Sequence, residues 1–178
     1  PGAGRPGTWP AFQGLRDGHM TATKASTPPL LFRWKVLLPA LILAAINGVH
    51  DRFRNLVGNG VDTGIEFCLA SRDPDGNPTT GINRVNGAGV PGYAAIGMEL
   101  GDTIGADEMA VKNLSRWPNT EYYNIWIVQD INGPTTGFAY FPTTDEGDGT
   151  VIEDIYVNYN DKKLTHEIGH AFNLLHTF

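Results

Sequence analysis

Hydrophobic positions recur at spacings of three and four residues in the stretch that follows Pro39. Such a period places them on one face of a helix, and proline is favoured in a first helical turn. The pattern predicts a helix from Pro39 to about Asn55, with most of the polar side chains on its other side. The face consists of Leu38, Ile42, Ala45, Ile46, Val49 and Phe53.

A second interpretation of the same stretch is a signal peptide. Arg33 and Lys35 would begin it, and Val36–Ala45 would be its apolar region. We favour the helix because the period continues well past the apolar run.

Alternating apolar and polar residues predict two short strands beyond the helix. In Thr63–Ala70, Ile65, Phe67 and Leu69 alternate with Glu66 and Cys68, and we expect Cys68 to be buried as a small apolar residue. Thr79–Val85 is predicted as the second strand. The sequence Asp73-Pro74-Asp75-Gly76 between them predicts a turn, since proline suits its second position and glycine tolerates positive φ.

The second half of the chain predicts a sheet with helices. Asn124–Gln129 is nearly continuously apolar, which favours a central strand buried on both faces. Thr136–Phe141 alternates small or polar with aromatic residues, as an edge strand does. Val151–Tyr159 fits either a strand or a surface loop. Glu108–Arg116 fits a short helix, and a helical pattern begins at Lys162.

Composition supports a chain of short elements with a tail. Gly (22) and Pro (12) are abundant among the 178 residues, which argues against a helical bundle. Residues 1–29 have no apolar period and end in Pro28-Pro29, so we interpret them as a disordered or non-native tail. Residues 30–178 are then expected to form one domain.

Charge and hydropathy exclude several classes of protein. The net charge is −6 and the pI is about 5.2, which argues against a nucleic-acid binder or a polybasic membrane-surface protein. The longest apolar run, Val36–Ile46, contains a proline and is about half of the roughly 20 residues that span a bilayer. The single cysteine, Cys68, permits neither an intrachain disulfide nor a thiolate zinc cluster.

The chemistry lies in the last predicted helix, in the sequence His166-Glu167-Ile168-Gly169-His170. His166 and His170 are one turn apart and project from the same face, so both imidazoles can bind one zinc ion. Glu167 is rotated by about 100° from His166. It can therefore reach a zinc-bound water as a general base without being a ligand.

His176 can complete the site only if the helix ends before it. On a straight helix it would lie about 15 Å beyond His166 along the axis. A residue between His170 and His176 must therefore leave helical space. Asn173 is placed for this, because asparagine adopts the left-handed conformation more easily than any residue except glycine.

Two less specific interpretations of these histidines are a surface helix and a structural zinc site. A surface helix with incidental histidines is disfavoured, since His-Glu-x-x-His followed by a third histidine at the position of His176 occurs by chance in roughly 0.015% of chains of this composition. A structural zinc site would need a fourth protein ligand and would leave Glu167 without a role.

The segment His166–His176 resembles the zinc-binding signature of the metzincins, H-E-x-x-H-x-x-G-x-x-H. Five further stretches resemble the pappalysin family within that clan, and the resemblance covers about residues 39–178. They are Gly64–Ala70 with Asp73–Gly76, Thr80–Val85, Asn124–Val128, Gly137–Pro142 and the flanking Thr165 with Thr177-Phe178.

The resemblance implies the fold and activity of a secreted zinc endopeptidase. The fold would be α/β (α+β), the N-terminal subdomain of a metzincin-like zincin, with a twisted mixed sheet, a backing helix and an active-site helix. His166, His170 and His176 would bind one catalytic Zn²⁺, and Glu167 would be the base. Protein or peptide substrates would pair with the edge strand, whose residues are Thr136, Gly137, Phe138, Ala139, Tyr140 and Phe141.

This chain departs from the family pattern at three places. Asn173 replaces the metzincin glycine, and the residues before Pro39 do not resemble the family's opening strand. The methionine-containing turn and the specificity pocket would lie beyond Phe178, so we expect a catalytic domain truncated at its C-terminus. An alternative function is then a catalytically incomplete zinc-binding fragment that acts as an interaction module.

The acidic loop is the remaining candidate metal site. Asp145, Glu146 and Asp148 could bind Ca²⁺, but their spacing matches no calcium-loop pattern, and a solvated turn is the favoured interpretation. Neither the oligomeric state nor the peptide-bond specificity follows from the sequence.

Overall fold

The computed structural model describes residues 38–58, 60–101 and 104–176. The predicted tail at residues 1–29 and the start of the alternative signal peptide lie outside the described residues.

The first helix, α1, spans Pro39–Phe53 and confirms the helix predicted from the apolar period. Proline occupies its first turn, and Ile42, Ala45, Ile46, Val49 and Phe53 are buried along one face. His50 accepts a hydrogen bond from the backbone N–H of Phe67 at 3.3 Å. That bond fixes the segment after the helix against it.

Three short strands form a mixed sheet. They are β1 (Ile125–Val128), β2 (Gly137–Ala139) and β3 (Thr150–Glu153), in the order β1-β3-β2. β3 is parallel to β1 and antiparallel to β2. The strand predicted at residues 124–129 is confirmed as β1, but its predicted central position is wrong, because β3 is the middle strand of the three described. All four residues of β3 are buried, and β1 is apolar because both of its faces are covered by hydrophobic clusters.

The two strands predicted at 63–70 and 79–85 are extended segments without a strand ladder. The connection between them contains one isolated bridge, Arg72 to Pro78, beside the confirmed turn in which Gly76 N–H bonds Asp73 O. Pro78 has no N–H to donate, and Gly81 at φ +71° bends the chain away, so the ladder does not extend. Cys68 points outward and is exposed, which corrects the prediction of a buried cysteine.

Short helices connect these elements. They are a 3₁₀ turn at Gly87–Gly89, α2 (Tyr93–Ile96), α3 (Glu108–Lys112), a second 3₁₀ turn at Asp154–Tyr156 and α4 (Lys163–Ala171). α3 is shorter than predicted and starts with Asp107 as its N-cap, whose carboxylate accepts from the N–H of Ala110 at 2.7 Å.

Two hydrophobic clusters lie on opposite faces of the sheet. In the first, Ile152 of β3 packs with Val49 of α1 and with Ile168 of α4. In the second, Val151 packs with Phe138 and Trp126. The result is a mixed α/β fold in which α4 lies against β2, β3 and α1, as the predicted fold class requires. None of the helices in the described part of the chain has the length and apolar character needed to cross a bilayer.

Candidate metal centre

The helix α4 brings the first two histidines together. His166 and His170 lie one turn apart, and their Nε2 atoms are 3.2 Å from each other. The nine-residue helix is held against the sheet by buried Leu164 and Ile168, so both imidazoles project from a fixed support.

The helix then ends in a Schellman motif, which confirms the turn predicted at Asn173. Asn173 has φ +64°. The N–H of Leu174 bonds Gly169 O at 3.0 Å, and the N–H of Asn173 bonds His170 O at 2.8 Å. This left-handed residue reverses the chain direction and carries the following segment back toward the helix.

His176 returns to the other two histidines as a result. Its Nε2 lies 3.0 Å from that of His166, and the candidate ligand atoms of all three residues lie within 4.8 Å of one another. Tetrahedral ligands at 2.0–2.1 Å from one ion lie about 3.3 Å apart. The donor set of three imidazole nitrogens and its spacing therefore fit a single divalent metal ion.

The orientation of His170 is set by a backbone carbonyl. Its Nδ1 lies 2.9 Å from Leu174 O, so an Nδ1–H that donates there leaves the Nε2 lone pair toward the other histidines. Burial lowers the pKa of His170, and the nearby His176 acts in the same direction, although the Leu174 hydrogen bond opposes them. The neutral form that binds metal is thus favoured.

Glu167 lies beside the cluster on the side that faces the sheet. It is buried, with 7% of its surface exposed, and a Cβ built on Gly137 would be 3.5 Å from its Cγ. Burial raises the pKa of Glu167 to about 7. A carboxyl group in this setting can accept or release a proton near neutral pH.

An open cavity of about 400 Å³ adjoins the cluster. All three histidines line it, together with residues of α1 and Leu174. A ligand can therefore approach the imidazoles without any rearrangement of the helices.

The predicted substrate strand lies next to α4. β2 pairs only with β3 among the described strands, so it is an edge of the sheet as predicted. The ring of Phe141 contacts that of His170, with centroids 5.6 Å apart. Phe138 and Ala139 are buried at 1% and 0% exposure, so their side chains belong to the interior and a bound peptide could reach only their backbone.

The acidic loop is tied to the domain by neighbouring side chains. Arg116 pairs with Glu146 at 3.0 Å, and Asn119 donates to Asp145 O at 2.8 Å. Lys112 donates to the carbonyl of Gly147 at 2.6 Å. Within the described residues, the groups of three or more metal-binding side chains comprise the histidine cluster alone, so Ca²⁺ at this loop gains no geometric support.

Sequence reasoning missed two parts of this region. The Leu174 carbonyl could have been found, because a left-handed residue at 173 directs the next carbonyl back over the helix. Lys112 could not have been found from spacing, because a single lysine in a short helix ordinarily lies at the surface.

Comparisons with known proteins agree with the signature. A family model of peptidases described as pregnancy-associated plasma protein-A matches residues 105–178. An extracellular metalloprotease of Colletotrichum graminicola is 36% identical over 86 residues, covering 40% of this chain and 30% of its own. One of Podospora anserina is 26% identical over 186 residues, covering 93% and 56%. The chain thus spans about half or less of the fungal relatives.

Solved structures of mirolysin share the fold. Mirolysin in complex with a compound superposes with a TM-score of 0.61 at 27% identity, over 77% of this chain and 57% of that one. Mature mirolysin of Tannerella forsythia in complex with a cleaved peptide gives a TM-score of 0.58, with the same identity and coverage. With its three-histidine cluster on α4 and the turn that follows, the chain is similar in sequence to the pappalysin family over residues 105–178 and similar in fold to the mirolysin structures.

Proposed function

We propose that this chain carries the zinc-binding half of a metalloendopeptidase that hydrolyses peptide bonds in proteins. The observation that supports this most strongly is the convergence of three imidazole Nε2 atoms, two from α4 and one from the segment after its terminal turn, beside the buried carboxyl group of Glu167. A structural metal site would have no use for Glu167, whereas a hydrolytic site needs a proton acceptor at this place.

His166, His170 and His176 would hold the ion, and Zn²⁺ suits a set of three neutral imidazoles. When bound, zinc acts as a Lewis acid that lowers the pKa of water and polarises a carbonyl group. His170 is held for this purpose by Leu174 O, which keeps Nε2 directed at the other ligands.

Glu167 would move the proton. Its carboxylate accepts a proton from the attacking water and delivers it to the nitrogen of the leaving amine. Its side chain packs against Gly137 of the edge strand, which supports the proposal that the scissile bond of a peptide on that strand would lie near its carboxylate.

The residues 136–141 would bind the substrate through the backbone. A peptide that adds as a further strand to the free edge of β2 forms main-chain hydrogen bonds, and its backbone then runs alongside α4. Secretion of the protein is part of the proposal, because both fungal relatives are named extracellular metalloproteases.

The test is cleavage of an unfolded generic protein, with and without a chelator, by the purified chain with zinc added. Cleavage that the chelator abolishes and zinc restores is the expected result. Zinc bound at one equivalent without cleavage would contradict the proposal for this chain and would favour the zinc-binding interaction module.

A further inference from the structure

Lys112 is a buried cation on the side of the sheet away from α1. It ends the helix α3, and its side chain is completely inaccessible to solvent. Its Nζ donates to Gly147 O at 2.6 Å and lies 2.6 Å from Glu108 Oε1. One ammonium group thus joins a helix to the loop that follows β2.

Aromatic rings enclose the same ammonium group. Its distance to the ring centroid is 4.8 Å for Trp126 of β1, 5.3 Å for Phe138 of β2 and 4.7 Å for Tyr140. These distances are within the range of cation–π attraction. Lys112 therefore contacts both outer strands of the sheet.

The hydroxyl of Tyr140 closes the network. It donates to the carboxylate of Glu108, at 2.9 Å from Oε1 and 2.8 Å from Oε2. Glu108 thereby accepts from both Lys112 and Tyr140. Burial lowers the pKa of Lys112, and Glu108 acts against that shift.

Tyr140 links this network along the chain to the histidine cluster. The next residue, Phe141, places its ring against His170. On the other side of Phe138, Gly137 approaches Glu167. Phe138 and Tyr140 thus contact the lysine network, whereas Gly137 and Phe141 lie against the candidate metal helix.

We propose that Lys112, with Glu108 and Tyr140, is a positioning residue for substrate: it fixes the edge strand and residues 140–147 relative to α4. The proposal rests on the proposed function, because the peptide that β2 receives must lie at a set distance from the histidines and Glu167.

A purely space-filling role would be served better by an apolar side chain. Burying an ammonium group has a large desolvation penalty, and apolar replacements of buried ion pairs are often neutral or stabilising. The charged hydrogen bond to Gly147 O and the directed contacts to three rings hold the loop and the two strands in one relative arrangement. An apolar side chain would fill the same space without fixing that arrangement.

The experiment compares Lys112→Met and Tyr140→Phe with the matched control Tyr159→Phe. Lys112→Met keeps the stem and removes the charge, and Tyr140→Phe keeps the ring and removes only the hydroxyl. The Tyr159 hydroxyl also donates to a carboxylate, Asp51 at 2.7 Å, but at an exposed site between α1 and a loop. Each full-length variant is measured for KM and kcat on an extended peptide, for zinc content and for amide hydrogen exchange.

Both test variants should raise KM about tenfold, with kcat and zinc content close to those of the unchanged chain. Exchange should accelerate in residues 137–147 and not in α4. Tyr159→Phe should change none of these quantities. An unchanged KM, or an equal rise in the control, would overturn the proposal.

Two further outcomes are decisive. If Lys112→Met does not fold, Tyr140→Phe alone gives the answer by the same criteria. If the unchanged chain cleaves no peptide, the proposed function has failed separately, and exchange decides the positioning role. Faster amide exchange confined to residues 137–147 of the two test variants then supports the positioning role. Unchanged exchange, or faster exchange throughout the molecule, refutes it.

Discussion

The Nδ1 atom of His170 lies 2.9 Å from the carbonyl oxygen of Leu174, four residues further along the chain. The residue that provides this carbonyl follows the left-handed turn at Asn173, so the turn has two effects. It returns His176 to the cluster, and it holds the ring of His170 in the orientation that directs Nε2 toward the other ligands.

Substitution at Asn173 should therefore change metal affinity. Asn173→Val places a β-branched residue at φ +64°, where an ordinary side chain costs about 1–2 kcal/mol. The turn opens, His176 and the Leu174 carbonyl move, and zinc affinity should fall about 10- to 100-fold. Competition with a chromophoric chelator measures it. Asn173→Gly is the control and should bind zinc as the unchanged chain does.

Glu167→Gln should separate metal binding from hydrolysis. The amide has the same shape but cannot accept the proton of the attacking water, so kcat should fall by about 10²–10⁴-fold. Zinc content, measured by mass spectrometry, should stay at one equivalent. Glu121→Gln changes an exposed carboxylate between α3 and β1 and should leave kcat intact. Normal turnover in Glu167→Gln would show that another group moves the proton.

His176→Ala should lose the bound ion, since two helical imidazoles alone leave the set incomplete. Zinc stabilises the native state in proportion to the logarithm of its concentration over Kd. Added zinc should therefore raise the Tm of the unchanged chain and not of His176→Ala. The comparison is His50→Ala, which removes an acceptor for Phe67 N–H but no cluster residue. Its Tm should be lower, and its zinc-dependent rise should be retained.

Alanine substitutions at Gly137 and Gly169 should change the stability of the fold in opposite directions. A Cβ on Gly137 would lie 2.7 Å from Ile152 Cδ1 and 3.1 Å from Val151 O, so Gly137→Ala should destabilise the fold by about 1–3 kcal/mol. A Cβ on Gly169 meets Leu174 only at 3.7 Å, so Gly169→Ala should stabilise α4 by about 0.5–1 kcal/mol. Urea unfolding measures both. A stable Gly137→Ala would mean that β2 packs less tightly against its neighbours than these distances imply.

The elements that the sequence predicted well depend on local patterns. The period of α1, the turn at Asp73–Gly76 and the helix with its break at Asn173 are each set by residues within a few positions of one another. The alternation at 65–69 also predicted correctly which side chains face inward, although no strand ladder forms there.

The errors come from features that the chain specifies at long range. An apolar run such as Ile125–Val128 shows that two faces are covered, but the order of strands depends on where β3 pairs. Cys68 was misplaced because its burial was expected from its residue type, although the alternation puts it on the same face as Glu66. The burial of Lys112 depends on Glu108, Tyr140 and Gly147 meeting around it, and no local spacing predicts that meeting.

The candidate ligands all lie between residues 166 and 176, whereas the groups that bury Glu167 come from distant parts of the chain. The metal cluster consequently has a low contact order and can assemble from a single helix and turn, before the sheet has closed. The proton transfer proposed for Glu167 would require the later, non-local pairing of β2 with β3. If the proposed function is correct, a partly folded chain would retain its ion after it has lost hydrolysis, and metal content alone would be no measure of native protein.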